Sequence, residues 1–301
     1  DAGAMNCIRH IAQTQMGGVV SFAARAVPRS LAGVGISLLR SRAAPPVRLK
    51  KYIRAMAARP AHMAAKLDEI DRVIVPSRIA RDLLQRHGLN PSRMICLPYG
   101  IQLEDIQRQE DKGEHAALRI GYIGTLVEHK GAHVLIEAFR HMPPDLPATL
   151  RLYGKPEEFP AYTQRLRKLA AGDGRISFMG TFAPVDMGKI FADFDVLVVP
   201  SLWYENTPMV IYAAQASGTP VVASDLGGMS EAIAGGHDGL LVPPEDPAAL
   251  ASTLLRLSRD RPFLRELARN APQPMSVAQH VDVLERLYAE LIHFSPAAEQ
   301  P

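Results

Sequence analysis

The most regular feature of the chain is an alternation of short apolar runs and longer amphipathic stretches between residues 118 and 259. Short β-branched runs predict strands, and apolar positions three and four residues apart predict helices. Strands are predicted at 118–124, 148–153, 175–179, 195–199, 220–223 and 239–242, and helices at 130–142, 160–171, 185–193, 207–217, 228–234 and 246–259. We therefore predict the α/β class, with helices covering both faces of a parallel sheet.

Two of these strands, VLVVP from residue 196 and TPVVAS from residue 219, are apolar without a polar alternation. Such a run is typical of a strand whose two faces are both buried. Parallel sheets of this kind bind ligands at the carboxyl ends of their strands. The loops that follow the strands are therefore the first place to look for functional residues.

The front of the chain has a different pattern. Residues 7–66 predict short amphipathic helices, interrupted at glycine and proline positions that include Pro60, and contain no convincing strand. Residues 71–77 and 94–100 predict two strands, which flank a helix that ends at Gly88. Together they predict one strand–helix–strand unit.

We predict three parts in the chain. Residues 1–110 form a partial N-terminal domain, with basic helices followed by the strand–helix–strand unit, and the charged segment 107–117 marks its end. Residues 111–275 form the domain that contains the longer alternation. Residues 276–301 form an amphipathic helix and a tail.

Charge is distributed unevenly along the 301 residues, although the net charge is only +3. Residues 1–66 hold eleven basic residues and one acidic residue, whereas residues 67–301 hold 23 basic and 30 acidic residues. The basic segment suggests an anionic partner, either a membrane surface or an acidic polymer, and we expect no nucleic acid. A solvated helix surface explains it equally well, and a cleaved transit peptide is a third reading.

Cysteine usage and hydropathy exclude several classes of protein. Cys7 and Cys96 are far apart and belong to no metal-ligand motif, so neither a disulfide framework nor a zinc site is expected. No run approaches the roughly 18 apolar residues of a membrane-spanning helix. We expect a cytoplasmic protein that associates, at most, with the inner face of a membrane.

The loop after the first strand of the longer alternation contains Gly124 and Lys130. Gly124 allows a close backbone approach, and Lys130 stands at the predicted start of a helix. A lysine at a helix N-terminus makes an anion site, most naturally for a diphosphate. The alternative is a glycine turn followed by a solvated lysine.

A second loop places Glu205 directly after a buried strand, where it can accept hydrogen bonds from sugar hydroxyls. Pro208 is predicted in the first turn of the next helix. The backbone N–H groups of residues 207–210 are expected to lack partners there and to bind a carboxylate or hydroxyl. A capping acid on an ordinary helix is the alternative reading of Glu205.

Several motifs follow one another in a specific order along residues 70–295. They are PYGI, GTLVEHKGAHVLIEAF, RLYGK, ISFMG, DVLVVPS, SLWYENTPMVIYAAQASGTPVVASDLGG and GLLVPPEDPAALA. In order and spacing they resemble glycosyltransferase family 4. The resemblance implies a GT-B-like fold, with a Rossmann-like C-terminal domain and an N-terminal helical and α/β domain that is incomplete here. It also implies that the chain is a fragment or a truncated variant.

The resemblance assigns a donor site. Lys130 matches one member of the basic pair that binds the donor diphosphate, whereas Thr125 stands where many relatives have arginine. Phe178 to Gly180 matches the segment that lies against the nucleotide base. The implied donor-binding residues are Gly124, Thr125, Lys130, Gly154, Met179, Gly180, Thr207, Pro208, Met209, Val210 and Ala213, with Glu205 as the catalytic residue.

Position 213 departs from the family pattern. Glu205 matches the first acid of the family's E-x7-E signature, but the second acid is replaced by Ala213. In the family that second glutamate commonly binds the ribose hydroxyls, and alanine has no group to replace it. Whether Ala213 is natural or an engineered change stays open.

The resemblance implies a retaining hexosyltransferase that uses a nucleoside-diphosphate sugar and a glycan or lipid-linked acceptor. No acidic D-x-D cluster is present, so we expect no divalent metal and no other cofactor. Ala213 favours the alternative of a nucleotide-sugar-binding protein without turnover. A dinucleotide-dependent oxidoreductase is disfavoured because no G-x-G-x-x-G follows an early strand.

We predict that residues 1–66 bind vesicles containing anionic lipid, and that this binding falls as salt is raised, because screening weakens attraction between exposed charges. Co-sedimentation of the protein with anionic and with neutral vesicles measures it. Equal binding to both kinds of vesicle would refute a role for the basic charge.

Overall fold

The computed structural model describes residues 50–109, 112–113 and 115–294. Cys7 and most of the basic segment lie outside the described residues. The chain divides into two compact units, one containing residues up to 72 with 84–93 and the other residues 73–83 with 94–301. The boundaries that the sequence predicts near residues 110 and 275 stay predictions.

The described part of the smaller unit contains one long helix, α1, at Lys50–Asp68. The helix continues through Pro60, so the predicted interruption at that residue is wrong. Proline removes one backbone hydrogen bond inside a helix. Here the alanine and basic residues on both sides favour helix strongly enough to continue it.

The next elements along the chain form the predicted strand–helix–strand arrangement. Strand β1 is Val73–Val75, helix α2 is Arg78–Arg86, and strand β2 is Met94–Cys96. The two strands pair in parallel, with Val73 opposite Met94. Each strand is shorter than its predicted apolar run.

A six-stranded parallel sheet forms the centre of the larger unit, and its strand order is β5-β4-β3-β6-β7-β8. Its strands are β3 Leu118–Ile123, β4 Ala148–Tyr153, β5 Ile176–Gly180, β6 Val196–Val199, β7 Val221–Ser224 and β8 Gly239–Val242. The helices are α3 Ala132–His141, α4 Pro160–Ala170, α5 Met187–Ala192, α6 Met209–Ala216, α7 Gly228–Ala232, α8 Pro247–Arg259, α9 Arg261–Asn270 and α10 Val277–Phe294. The α/β class and the parallel sheet are confirmed.

The core has one apolar layer on each face of this sheet. Val196 and Val198 contact the layer formed with α3 and α8, whereas Leu197 and Val199 contact the layer on the opposite face. Successive side chains of a strand point to opposite faces. Strand β6 is therefore apolar throughout because both of its faces are buried, as its sequence predicts.

The chain changes direction within the sheet between β3 and β6. From β3 it continues outward through β4 and β5, and it then returns to the other side of β3 and continues through β6, β7 and β8. The loops after β3 and β6 therefore leave adjacent strands. Such a point in a parallel sheet opens a crevice at the carboxyl ends of the strands, where ligands bind.

Helix α10 begins against the segment that follows β2. The Val277 N–H donates to the carbonyl of Ile101 at 3.0 Å, and the Ile101 N–H donates to the carbonyl of Met275 at 3.0 Å. Nowhere in the described part of the chain is a helix both long enough and apolar enough to span a bilayer.

Candidate functional site

The loops after β3 and β6 are held together by backbone contacts. The carbonyl of His129 accepts hydrogen bonds from the Leu202 N–H at 2.8 Å and from the Ser201 hydroxyl at 3.1 Å. Gly131 has φ +72°, and a Cβ atom there would lie 1.8 Å from the carbonyl oxygen of Pro200. Only glycine permits this conformation and this approach together.

This contact brings Lys130 and Glu205 together. The Lys130 ammonium lies 2.5 Å from Oε1 of Glu205, and the hydroxyl of Ser201 donates to the same oxygen at 2.9 Å. Their side chains are 31% and 15% exposed. In the part of the chain that the structure describes, no hydrogen bond engages Oε2 of Glu205, so this oxygen can accept from a ligand hydroxyl.

The start of α3 offers less to an anion than its sequence suggests. Lys130 lies in a short 3₁₀ turn before α3, and the helix begins at Ala132. The N–H of His133 in the first turn already donates to the hydroxyl of Tyr162 at 3.2 Å. The positive charge at this position therefore comes mainly from the Lys130 ammonium.

His133 and Tyr162 form a half-buried pair beside the loop. Their side chains approach to 2.7 Å between Nδ1 and the hydroxyl oxygen. Burial and the Arg165 guanidinium lower the pKa of His133, so this imidazole is neutral at pH 7. Burial raises the pKa of Tyr162 to about 12, so its hydroxyl stays protonated. The pair holds α3 against α4 without adding charge to the site.

Helix α6 starts slightly later than predicted. Pro208 occupies the N-cap position, and the first helical residue is Met209. Because proline has no N–H, the expected set of donors at residues 207–210 reduces to Thr207, Met209 and Val210. The side chain of Thr207 turns back and donates to the carbonyl of Asn206 at 2.7 Å.

Ala213 lies in the middle of α6 and is 7% exposed. It forms part of the wall of a cavity of about 610 Å³ at the carboxyl edge of the sheet. The wall consists of Gly100, Ile101, Gln102, Asp105, Ile106, Ile123, Pro184, Val185, Met187, Met209, Val210 and Ala213. Most of these side chains are apolar, and α6 contributes no carboxylate to the wall.

The glycines at the ends of β3, β4 and β5 allow the backbones to converge. The Gly124 N–H donates to Tyr153 O at 3.0 Å, and the Gly154 N–H donates to Gly180 O at 2.9 Å. A Cβ atom on Gly154 would lie 2.3 Å from the carbonyl of Gly124. Met179 is 44% exposed beside Gly180.

Thr125 follows Gly124 in the loop after β3. Its carbonyl accepts a hydrogen bond from the buried hydroxyl of Tyr122 at 3.0 Å. Burial is also the main reason that the pKa of Tyr122 is raised. Thr125 thus has a backbone role that its alignment with an arginine did not predict.

A third loop, which leads into α7, contacts the backbone of Glu205 and Asn206. The Gly228 N–H donates to the carbonyl of Glu205 at 2.8 Å, and a Cβ atom on Gly228 would lie 1.5 Å from the carbonyl of Asn206. Asn206 in turn accepts a hydrogen bond from the Ser77 hydroxyl at 2.5 Å. Sequence reasoning assigned no role to Asn206, since its partner is distant in the chain.

Glu231 is a second residue that sequence reasoning missed. Its carboxylate accepts hydrogen bonds from the backbone N–H groups of Arg78 at 2.7 Å and Ile79 at 3.1 Å. These groups form the first turn of α2, where a negative charge is favoured. The described residues contain no group of three His, Cys, Asp or Glu side chains that could hold a metal ion.

The proteins that this chain resembles agree with the fold and with the motifs of the sequence. Residues 117–260 match the family described as glycosyl transferases group 1. The match lies in the part of the chain that contains most of the motifs, and it agrees with the resemblance that they carry. A D-inositol 3-phosphate glycosyltransferase of Corynebacterium urealyticum is 35% identical over 161 residues, which are 51% of this chain and 38% of the relative.

Solved structures show the same fold. Sucrose-phosphate synthase of Thermosynechococcus elongatus is 26% identical and matches with a TM-score of 0.69, over 79% of this chain and 63% of its own. Anabaena HepE, in complex with UDP and glucose, is 21% identical and matches with a TM-score of 0.65, over 80% of this chain and 74% of its own. The fold is of the GT-B type. The chain spans about half the length of the curated relatives it matches.

We predict that Gly131→Ala destabilises the protein and separates the two loops. Positive φ costs a non-glycine residue about 1–2 kcal/mol, and the overlap with Pro200 adds about 1–3 kcal/mol. Urea unfolding measures the change in the free energy of unfolding.

Gly172→Ala is the matched control. Gly172 also has positive φ, at +86°, but an added Cβ would meet no atom within 4 Å. It should show only the conformational cost. Equal losses in the two variants would mean that the approach of Pro200 to Gly131 is unimportant for stability.

Proposed function

We propose that this protein is a retaining hexosyltransferase, which moves a hexosyl group from a nucleoside-diphosphate sugar to a glycan or lipid-linked acceptor. The observation that carries the proposal is the Lys130–Glu205 pair at the change of direction in the sheet. A cation and an acid with an available carboxylate oxygen meet there, at the edge where this class of sheet binds ligands.

The donor is proposed to lie along the loops of that edge. Its nucleoside would occupy the cavity beside Ala213. The family resemblance places the base against the segment from Phe178 to Gly180. The cavity is of the size and apolar character typical of small-molecule sites. Because HepE was solved with UDP and glucose, UDP and UDP-glucose are the first ligands to test.

The diphosphate would then reach Lys130. An ammonium beside the departing diphosphate stabilises the negative charge that develops as the bond from the sugar to the phosphate oxygen breaks. Lys130 is now paired with Glu205, so a bound diphosphate must compete for the ammonium. A shift of the ammonium toward phosphate would release Oε1 of Glu205 for a sugar hydroxyl. We propose that no divalent metal takes part.

Ala213 favours a second candidate function, namely nucleotide-sugar binding without turnover. A glutamate in this wall would present charged acceptors to ribose hydroxyls, whereas alanine presents none. Transfer of sugar from a donor to any acceptor by the purified chain would exclude this candidate. Association with the inner face of a membrane, through residues 1–66, stays part of the proposal.

We predict that Ala213→Glu strengthens nucleotide binding ten-fold or more. A hydrogen bond to a charged group contributes about 1.5–3 kcal/mol, which corresponds to roughly ten- to a hundred-fold in affinity. Calorimetric titration of both forms with UDP, GDP, ADP and their common sugars measures the change, and addition of EDTA should not alter it. If neither form binds any nucleotide, the proposed donor site is wrong.

Removing the ammonium at position 130 should weaken diphosphate binding far more than nucleoside binding. We expect Lys130→Met to lose at least ten-fold in affinity for UDP and little for uridine, since only the diphosphate meets the charge. Lys189→Met is the control, because the Lys189 side chain is 83% exposed and pairs with Asp186 on the surface. An equal loss for UDP and uridine would indicate general damage to the loop.

A further inference from the structure

The tryptophan of this protein lies in an unusual position. The sequence contains one tryptophan, Trp203, which is 62% exposed. Tryptophan is highly buried on average in folded proteins. Its neighbour Tyr204 is 72% exposed. Both precede Glu205 in the loop after β6, so the most exposed aromatic surface of this region adjoins the candidate site.

The backbone of Trp203 is held on both sides. The preceding residue, Leu202, donates its N–H to the carbonyl of His129, and the carbonyl of Trp203 accepts the N–H of Glu205 at 2.8 Å. The indole ring also lies against the imidazole of His129, with 5.9 Å between centroids and 55° between planes. The backbone at Trp203 is therefore held before any ligand arrives, and the indole ring has an aromatic neighbour on one side, which limits the entropy lost on binding.

The surroundings of the ring indicate the chemistry of its partner. A hexopyranose has apolar C–H faces and a polar edge of hydroxyl groups. Trp203 and His129 offer an aromatic surface, and the Glu205 carboxylate two residues along the chain offers a hydroxyl acceptor. Binding sites commonly combine aromatic walls with a few placed polar groups in this way.

The exposures distinguish the two sugars of the proposed reaction. Lys130 and Glu205, which would face the donor, have side chains that are 31% and 15% exposed. Trp203 is 62% exposed and is thus more accessible to solvent than either member of that pair. In the proposed reaction the diphosphate holds the donor sugar beside this pair, whereas the acceptor comes from solvent. We therefore assign the more exposed ring to the acceptor.

We propose that Trp203, packed on His129, is a stacking platform for a hexopyranose ring of the acceptor. The proposal rests on the proposed transferase function and names a residue that determines acceptor binding. Trp203 and His129 come from loops that leave adjacent strands. The same backbone contacts that bring Lys130 to Glu205 thus also form the platform.

Because the chain has a single tryptophan, its fluorescence reports on this position directly. The full chain, with and without saturating UDP, is titrated with methyl glycosides of glucose, mannose, galactose and N-acetylglucosamine. We expect at least one glycoside to give a saturable change in tryptophan emission. His129→Ala keeps the fluorophore and should weaken that glycoside several-fold.

Variants without the indole are compared by saturation-transfer NMR with the same glycosides. Trp203→Ala should weaken binding about ten-fold, and Trp203→Phe should retain it within about three-fold. Affinity for UDP should stay within two-fold in both variants. Tyr288→Ala is the control, since Tyr288 is a 60% exposed aromatic residue on α10.

Each other outcome overturns the proposal in a distinguishable way. Suppose that UDP binds, but that no glycoside changes the emission of Trp203 and that Trp203→Ala does not lower the affinity for any glycoside. The platform is then wrong and the transferase function stands. If only UDP-sugars change the emission, the ring contacts the donor sugar instead of the acceptor. If neither UDP nor any sugar binds, the transferase function itself fails.

Discussion

The close approach of two loops at Gly131 and Pro200 is the constraint on which the candidate site depends. A residue with a Cβ atom would force the backbones apart, and the separation would carry Lys130 away from Glu205. The sheet supplies the reason that the loops meet, because β3 and β6 are adjacent and the chain leaves them in opposite directions. Gly131 thus allows the loops after two adjacent strands to come close enough for Lys130 and Glu205 to pair.

Periodicity was sufficient to predict the fold of the larger unit, since burial on both faces leaves an unambiguous apolar pattern in strands such as β6. Periodicity was insufficient where neighbouring residues favour different local structures. Helix α9 was not predicted, because its charged sequence follows α8 with only Asp260 between the helices. The interruption predicted at Pro60 was wrong for the opposite reason, since neighbouring residues outweigh the single lost hydrogen bond.

The site was predictable only as far as its residues belong to recognisable motifs. Lys130 and Glu205 come from two separate motifs, and their pairing across 75 positions became visible only in the structure. Asn206 and Glu231 had no motif to mark them, because their partners at Ser77 and Arg78 lie 129 and 153 residues away. Contacts of that kind depend on how elements pack, which no local pattern records. The role of Ala213 likewise depends on the cavity that it lines, and this cavity is visible only in the structure.

The carboxylate of Glu231 at the start of α2 has a mechanical consequence. Together with the side chain of Asn206, which accepts from Ser77, it holds the start of that helix, and the N–H of Gly228 in α7 donates to the carbonyl of Glu205. A shift of residues 205–206 in response to a ligand must therefore stretch these bonds or move the helix start as well. Linkage makes the effect reciprocal, so a force applied to α2 would also alter the affinity of the site. Residues 77–79 are in this way coupled to the loop that holds the acid.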